Sequence, residues 1–68
     1  MMNTDYDKLD ELLDYMKSRG IDKETALGVV LICKTDNQMT AILQWLQKNE
    51  NIDDIFVKCL EIEKTIKE

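Results

Sequence analysis

Cysteine side chains are the first residues of this chain whose chemistry could support catalysis or metal binding. Cys33 and Cys59 lie in separate apolar segments, and the chain contains no histidine. Two cysteines that do not form a C-x-x-C pair fall short of the four ligands of a zinc site. A nucleophilic thiolate would also need a neighbouring base. The pattern favours two buried thiols that pack as small hydrophobic groups, with a disulfide as the alternative.

Carboxylates are the second group with catalytic potential. Acid–base catalysis needs two of them in a cleft where burial separates their pKa values. The acids of this chain instead follow solvent faces and first turns of predicted helices, where solubility and the helix dipole account for them. Ser18 is the only serine, and two glycines cannot form a phosphate-binding loop. We therefore expect no enzymatic activity, no metal and no cofactor.

Length and composition indicate a single small globular domain. The chain has 68 residues, of which 44% are hydrophobic and 34% are charged, with no proline. The formal net charge of −5 argues against non-specific attraction to nucleic acid or to an anionic membrane. The N-terminal residues are polar and acidic, and no apolar run approaches the roughly 20 residues that span a bilayer. A cytoplasmic location is the expectation.

The elements that must position these residues are helices. Apolar residues recur at the 3.6-residue period over most of the chain, and turn or capping residues separate the periodic segments. Gly20 fits the left-handed position after the first helix, and Thr35 with Gln38 fits a capping box before the third. The periodicity predicts an all-α, compact four-helix domain with helices over about 5–18, 23–33, 36–48 and 52–66.

The second predicted helix contains the longest apolar stretch of the chain, the eight residues 26–33. Because its side chains are apolar on every side, we expect it to be central and buried, with the other three helices packed around it. Three short helices have limited surface with which to enclose a fourth. The sequence therefore also raises the hypothesis that a second copy of the chain covers what remains.

Four residues are candidates for a protein interface. Trp45 and Ala41 lie on the flank of the third helix, Val57 lies opposite the apolar stripe of the fourth, and Tyr15 is an outlying candidate on the first. Exposed tryptophan is enriched at interaction hot spots, although an edge tryptophan can equally cover the end of a core. These positions favour a non-enzymatic protein-interaction or regulatory module whose partner is another protein or a second copy.

The first helix also presents an acidic face formed by Asp7, Asp10, Glu11 and Asp14. A solvated helix surface is the simplest interpretation, and a docking face is the alternative. A related hypothesis is an acidic inhibitor that mimics the charge of nucleic acid.

A helix-turn-helix regulator is a further alternative, in which the second and third helices would bind DNA and Asn37 and Gln38 would read base edges. The acidic balance of the chain disfavours it, so nucleic acid is not the expected partner.

Overall fold

The computed structural model describes the backbone of residues 4–66 and the side chains of residues 8–66. It contains four helices: α1 (Thr4–Ser18), α2 (Lys23–Ile32), α3 (Asp36–Lys48) and α4 (Ile55–Thr65). No strand occurs among residues 4–66. The predicted all-α, four-helix fold is confirmed, and the bounds of the first three helices agree with the prediction to within one residue.

Local signals end α1 and start α3 as predicted. Gly20 has a φ of 80°, and the N–H groups of Gly20 and Ile21 donate to the carbonyls of Lys17 and Met16 at the end of α1. This is the double hydrogen-bonding pattern of a Schellman motif, for which glycine is the favoured residue. At the start of α3, the Thr35 hydroxyl accepts from the backbone N–H of Gln38, which completes a capping box.

The fourth helix begins three residues later than predicted, at Ile55. The carboxamide oxygen of Asn51 accepts a hydrogen bond from the N–H of Asp53 at 2.9 Å, and the N–H of Ile55 donates to the carbonyl of Ile52. Asn51 therefore stabilises a turn before the helix and does not cap it, because an asparagine side chain that bonds two residues ahead favours turn geometry over helix entry.

The four helices form a closed ring of contacts. Helix α1 packs mainly against α2 and α3, and α4 packs mainly against the same two helices. One cluster of buried residues fills the space between them, and α3 contributes more of its members than any other helix. The cluster consists of Leu12, Met16, Ala26, Val29, Cys33, Met39, Ile42, Leu43, Leu46, Ile55, Cys59 and Ile62.

The prediction that α2 is central and buried, with the other three helices packed around it, is wrong. Ala26 and Val29 are its buried residues, whereas Leu27 is 48% exposed and Leu31 is 71% exposed. The reason is geometric: α2 has two close helical neighbours, and two neighbours cover only part of a helix circumference. Helix α4 also leaves apolar side chains uncovered, since Phe56 is 41% exposed and Leu60 is 51% exposed.

Arg19 joins the C-terminal ends of α1 and α3. Its guanidinium donates to the backbone carbonyl of Leu46, and also to those of Asn49 at 3.0 Å and Glu50 at 2.9 Å. It further lies over the ring of Tyr15, 5.9 Å from the centroid. Carbonyls at a helix C-terminus lack partners within the helix, so a cation with several donors is well suited to them.

Candidate interaction surfaces

The neighbouring helices α2 and α4 each carry exposed apolar side chains. We call the set Leu27, Leu31, Phe56 and Leu60 the α2–α4 surface. Leu27 and Leu31 are one helical turn apart, as are Phe56 and Leu60, so each helix presents a short apolar stripe. Together these four side chains expose apolar area on the order of 400 Å², which lies within the range of the largest patch on a typical monomer.

Gly28 brings the two stripes together. A Cβ atom at this position would lie 2.8 Å from Cε1 of Phe56, so the Phe56 ring packs directly on the α2 backbone. Glycine at this point lets α4 approach closely, which is the packing role that a glycine inside a helix commonly has. The Phe56 ring therefore links the two helices at the α2–α4 surface, and none of the four members of this surface is charged.

Helices α2 and α4 run in broadly the same direction. Gly28 meets Phe56, and further along both helices the Cys33 thiol contacts the Cys59 carbonyl, with Sγ and O 3.8 Å apart. The residue numbers of these contacts increase together in α2 and α4, which indicates that the two helices are parallel. The two N-terminal ends therefore lie at one end of the α2–α4 surface and the two C-terminal ends at the other.

Both cysteines are free and fully buried, which agrees with the prediction of two buried thiols. The hydrogen bond between the two thiols and the burial of the site raise the pKa of Cys59 far above its ordinary value. Cys59 is therefore a neutral thiol at physiological pH. Among the side chains of residues 8–66, no three cysteines or carboxylates are grouped closely enough to hold a metal ion.

Three of the four predicted interface residues line adjoining hollows along the α3–α4 boundary. Ala41 and Trp45 line one of about 390 Å³, and Trp45 and Val57 line another of about 240 Å³. Trp45 is half-buried and packs against the core, whereas Val57 is 56% exposed. Tyr15 lines neither hollow. It lies beside Arg19, whose Nη1 is 3.4 Å from the Tyr15 hydroxyl oxygen.

The acidic face of α1 is solvent-exposed where it is described. Asp10, Glu11 and Asp14 are exposed, and Glu11 lies 3.9 Å from the Lys8 ammonium. The side chain of Asp7 lies outside the described residues. Exposed carboxylates with such a weak, solvent-screened contact match a solvated face, and the docking and charge-mimicry interpretations remain predictions.

Gln38 was expected to face outward in the helix-turn-helix alternative, and that expectation is wrong. Gln38 is buried, and its Oε1 accepts from the backbone N–H groups of Lys34 and Thr35. Its Nε2 donates to the carbonyl of Ile66 at the end of α4, at 2.6 Å. Both ends of the carboxamide are therefore engaged within the fold.

Comparison of the chain with protein-family models, curated proteins and solved structures gave no match. Among residues 4–66, no helix is both long enough and apolar enough to cross a membrane.

Sequence reasoning missed the α2–α4 surface because it expected α2 to be buried among the other three helices. One sequence signal could have indicated it: α4 carries Phe56, Val57 and Leu60 in addition to Ile55, Cys59 and Ile62, which is more apolar circumference than one core-facing stripe requires. The excess in α2 was recognised, but which side would remain uncovered depends on the positions of its neighbours.

Proposed function

We propose that this protein is a non-enzymatic interaction module that pairs with a second copy of itself through the α2–α4 surface. The observation that carries the proposal is the exposure of Leu31, which at 71% is the most exposed member of the α2–α4 surface. A leucine at this exposure contributes nothing to the monomer core. Covering it in a dimer removes its apolar area from water.

The size of the surface suits a small homodimer. A standard interface buries about 800 Å² per partner, and homodimer interfaces are about 65% apolar. The roughly 400 Å² presented by the four residues would form the apolar centre of such an interface, with the rest supplied by polar residues around it.

The charges around the surface favour a two-fold arrangement. Glu24 precedes Leu27 by three residues at the N-terminal end of α2, while Lys34 follows Leu31 by three at the C-terminal end. On α4, Lys64 follows Leu60 by four, and all three charged side chains are exposed. A two-fold axis perpendicular to the helices brings Glu24 of one copy towards Lys34 and Lys64 of the other.

Two parallel helices from each copy would then pack as an intermolecular four-helix layer. The pairing is isologous, because both copies use the same surface. An isologous interface of this kind gives a dimer and does not extend to larger assemblies. We place this dimer in the cytoplasm, a proposal supported by the free thiols of Cys33 and Cys59, which are typical of a reducing compartment.

The test is the mass of the purified full chain in solution, measured by analytical ultracentrifugation over a concentration series. We expect a dimer with a Kd in the micromolar range. Leu31→Glu should raise the Kd at least about tenfold, because it places a charge at the apolar centre. Gln47→Glu adds the same charge at an exposed position of α3 and should leave the Kd unchanged.

Circular dichroism and thermal melting of both variants check that each one folds. A wild-type chain that stays monomeric up to millimolar concentration would contradict the proposal. A dimer that tolerates Leu31→Glu would show that self-association uses a different surface.

A further inference from the structure

A second apolar hollow lies between α1 and α2, apart from the α3–α4 boundary. It has a volume of about 460 Å³, within the range of about 300–1,000 Å³ that is common for small-molecule sites. Leu13 and Ile21 line it from the α1 side, and Ala26 and Leu27 line it from α2. We call this hollow the α1–α2 groove.

Two lysines are the charged residues that line the α1–α2 groove, Lys17 at the end of α1 and Lys23 at the start of α2. Neither ammonium forms an ion pair with any described side chain. These two ammonium groups place a net positive charge beside the α1–α2 groove of a chain whose net charge is −5. Helix stability accounts for Lys17, which is in the last turn of α1, but a cation in the first turn of α2 opposes the helix dipole.

From this combination we propose that the α1–α2 groove binds an amphipathic anion, specifically an unbranched alkyl carboxylate. The alkyl chain would lie along Leu13, Ile21 and Leu27, and its carboxylate would pair with the ammonium groups of Lys17 and Lys23. A lysine side chain is flexible, so its ammonium can pair with a carboxylate in several positions. The methylene groups of the lysine side chain also add apolar surface to the wall of the groove. Leu27 also belongs to the α2–α4 surface, so ligand binding and dimer formation have one residue in common.

The length of the ligand's alkyl chain and the charge of its head group should affect its affinity for the groove in separate ways. Each methylene that enters the groove should tighten binding by roughly twofold to fourfold, until the groove is full. A cationic head of the same chain length should be repelled by both lysines. An apolar groove without charge preference would bind the two equally.

Calorimetric titration with octanoate, decanoate and dodecanoate, each below its micelle concentration, tests the proposal. We expect affinity to rise along this series, and dodecylammonium to bind at least tenfold more weakly than dodecanoate. Lys17→Gln combined with Lys23→Gln should weaken dodecanoate binding at least tenfold. Lys64→Gln, which removes an exposed charge from the last turn of α4, should have no effect.

Amide chemical shifts locate the ligand. Changes should centre on Leu13, Lys17, Ile21 and Leu27, and they should appear equally in the Leu31→Glu variant, so that failure of the dimer proposal does not affect this test. Equal binding of the carboxylate and the ammonium, shift changes centred on another surface, or no binding at the highest concentration below the micelle threshold would overturn the proposal.

Discussion

Gly28 and Phe56 are in direct contact across the junction of α2 and α4, since a Cβ atom on Gly28 would lie 2.8 Å from Cε1 and 3.0 Å from Cζ of the Phe56 ring. The obstacle is the far end of a side chain that is 41% exposed, and such a ring can rotate away. The contact therefore determines the shape of the α2–α4 surface more than it determines the stability of the monomer.

Gly28→Ala should accordingly raise the free energy of unfolding by less than helix propensity alone predicts. Alanine inside a helix is favoured over glycine by about 1 kcal/mol, and displacement of the Phe56 ring offsets part of that gain. In a Phe56→Ala background the offset disappears, so the same substitution should raise the free energy of unfolding by about 1 kcal/mol. Urea denaturation of the four chains measures the coupling. Equal effects in both backgrounds would mean that the contact has no energetic consequence.

Arg19→Ala should lower the free energy of unfolding by about 2 kcal/mol, because it leaves the carbonyls of Leu46, Asn49 and Glu50 without their charged donor. Lys48→Ala is the control, since it removes a cation from the last turn of α3 that makes no such hydrogen bonds. Chemical denaturation should show a clearly smaller loss for the control. Similar losses in the two variants would assign the effect to the helix dipole.

Substitutions at Gln38 should separate the two roles of its carboxamide. Gln38→Glu retains the acceptor for Lys34 and Thr35 but loses the donor to Ile66, whereas Gln38→Ala loses both. We expect each variant to be destabilised by about 1–3 kcal/mol, since a buried polar group loses its partner. Amide hydrogen exchange should accelerate at the end of α4 in both variants, and at the start of α3 only in Gln38→Ala. Unchanged exchange at the end of α4 would argue against the bond to Ile66.

The buried thiol of Cys59 should make the protein less stable in alkaline solution. Its hydrogen bond with Cys33 and its burial raise its pKa in the folded chain, so the Cys59 thiol ionises near the ordinary value of about 8.5 only in the unfolded chain. The stabilising contribution is fully present below that pH and is lost as the pH rises above it, with a slope approaching about 1.4 kcal/mol per pH unit.

Urea denaturation between pH 7 and pH 10.5 under reducing conditions measures this loss. Cys59→Ala should flatten the alkaline part of the profile, although the variant is less stable at every pH because it creates a cavity. A profile with the same alkaline slope in both chains would show that other groups cause the pH dependence.

The number of helices and most of their bounds could be predicted from the sequence, because these features depend on interactions between residues close in the chain. Gly20 ends α1 through its own backbone conformation, and Thr35 and Gln38 start α3 through bonds that span three residues. The late start of α4 escaped prediction, since asparagine serves equally well in a turn and at a helix cap, and Asn51 serves in the turn.

Which apolar residues become core was decided only by the tertiary structure. Leu31 and Val29 lie two positions apart in the same helix and are equally apolar, yet one is 71% exposed and the other is fully buried. Their difference depends on where α1 and α4 lie around α2, and that depends on close approaches such as the one between Gly28 and Phe56. Periodicity determines which side chains share a face of a helix, but the placement of neighbouring helices decides which apolar faces are covered.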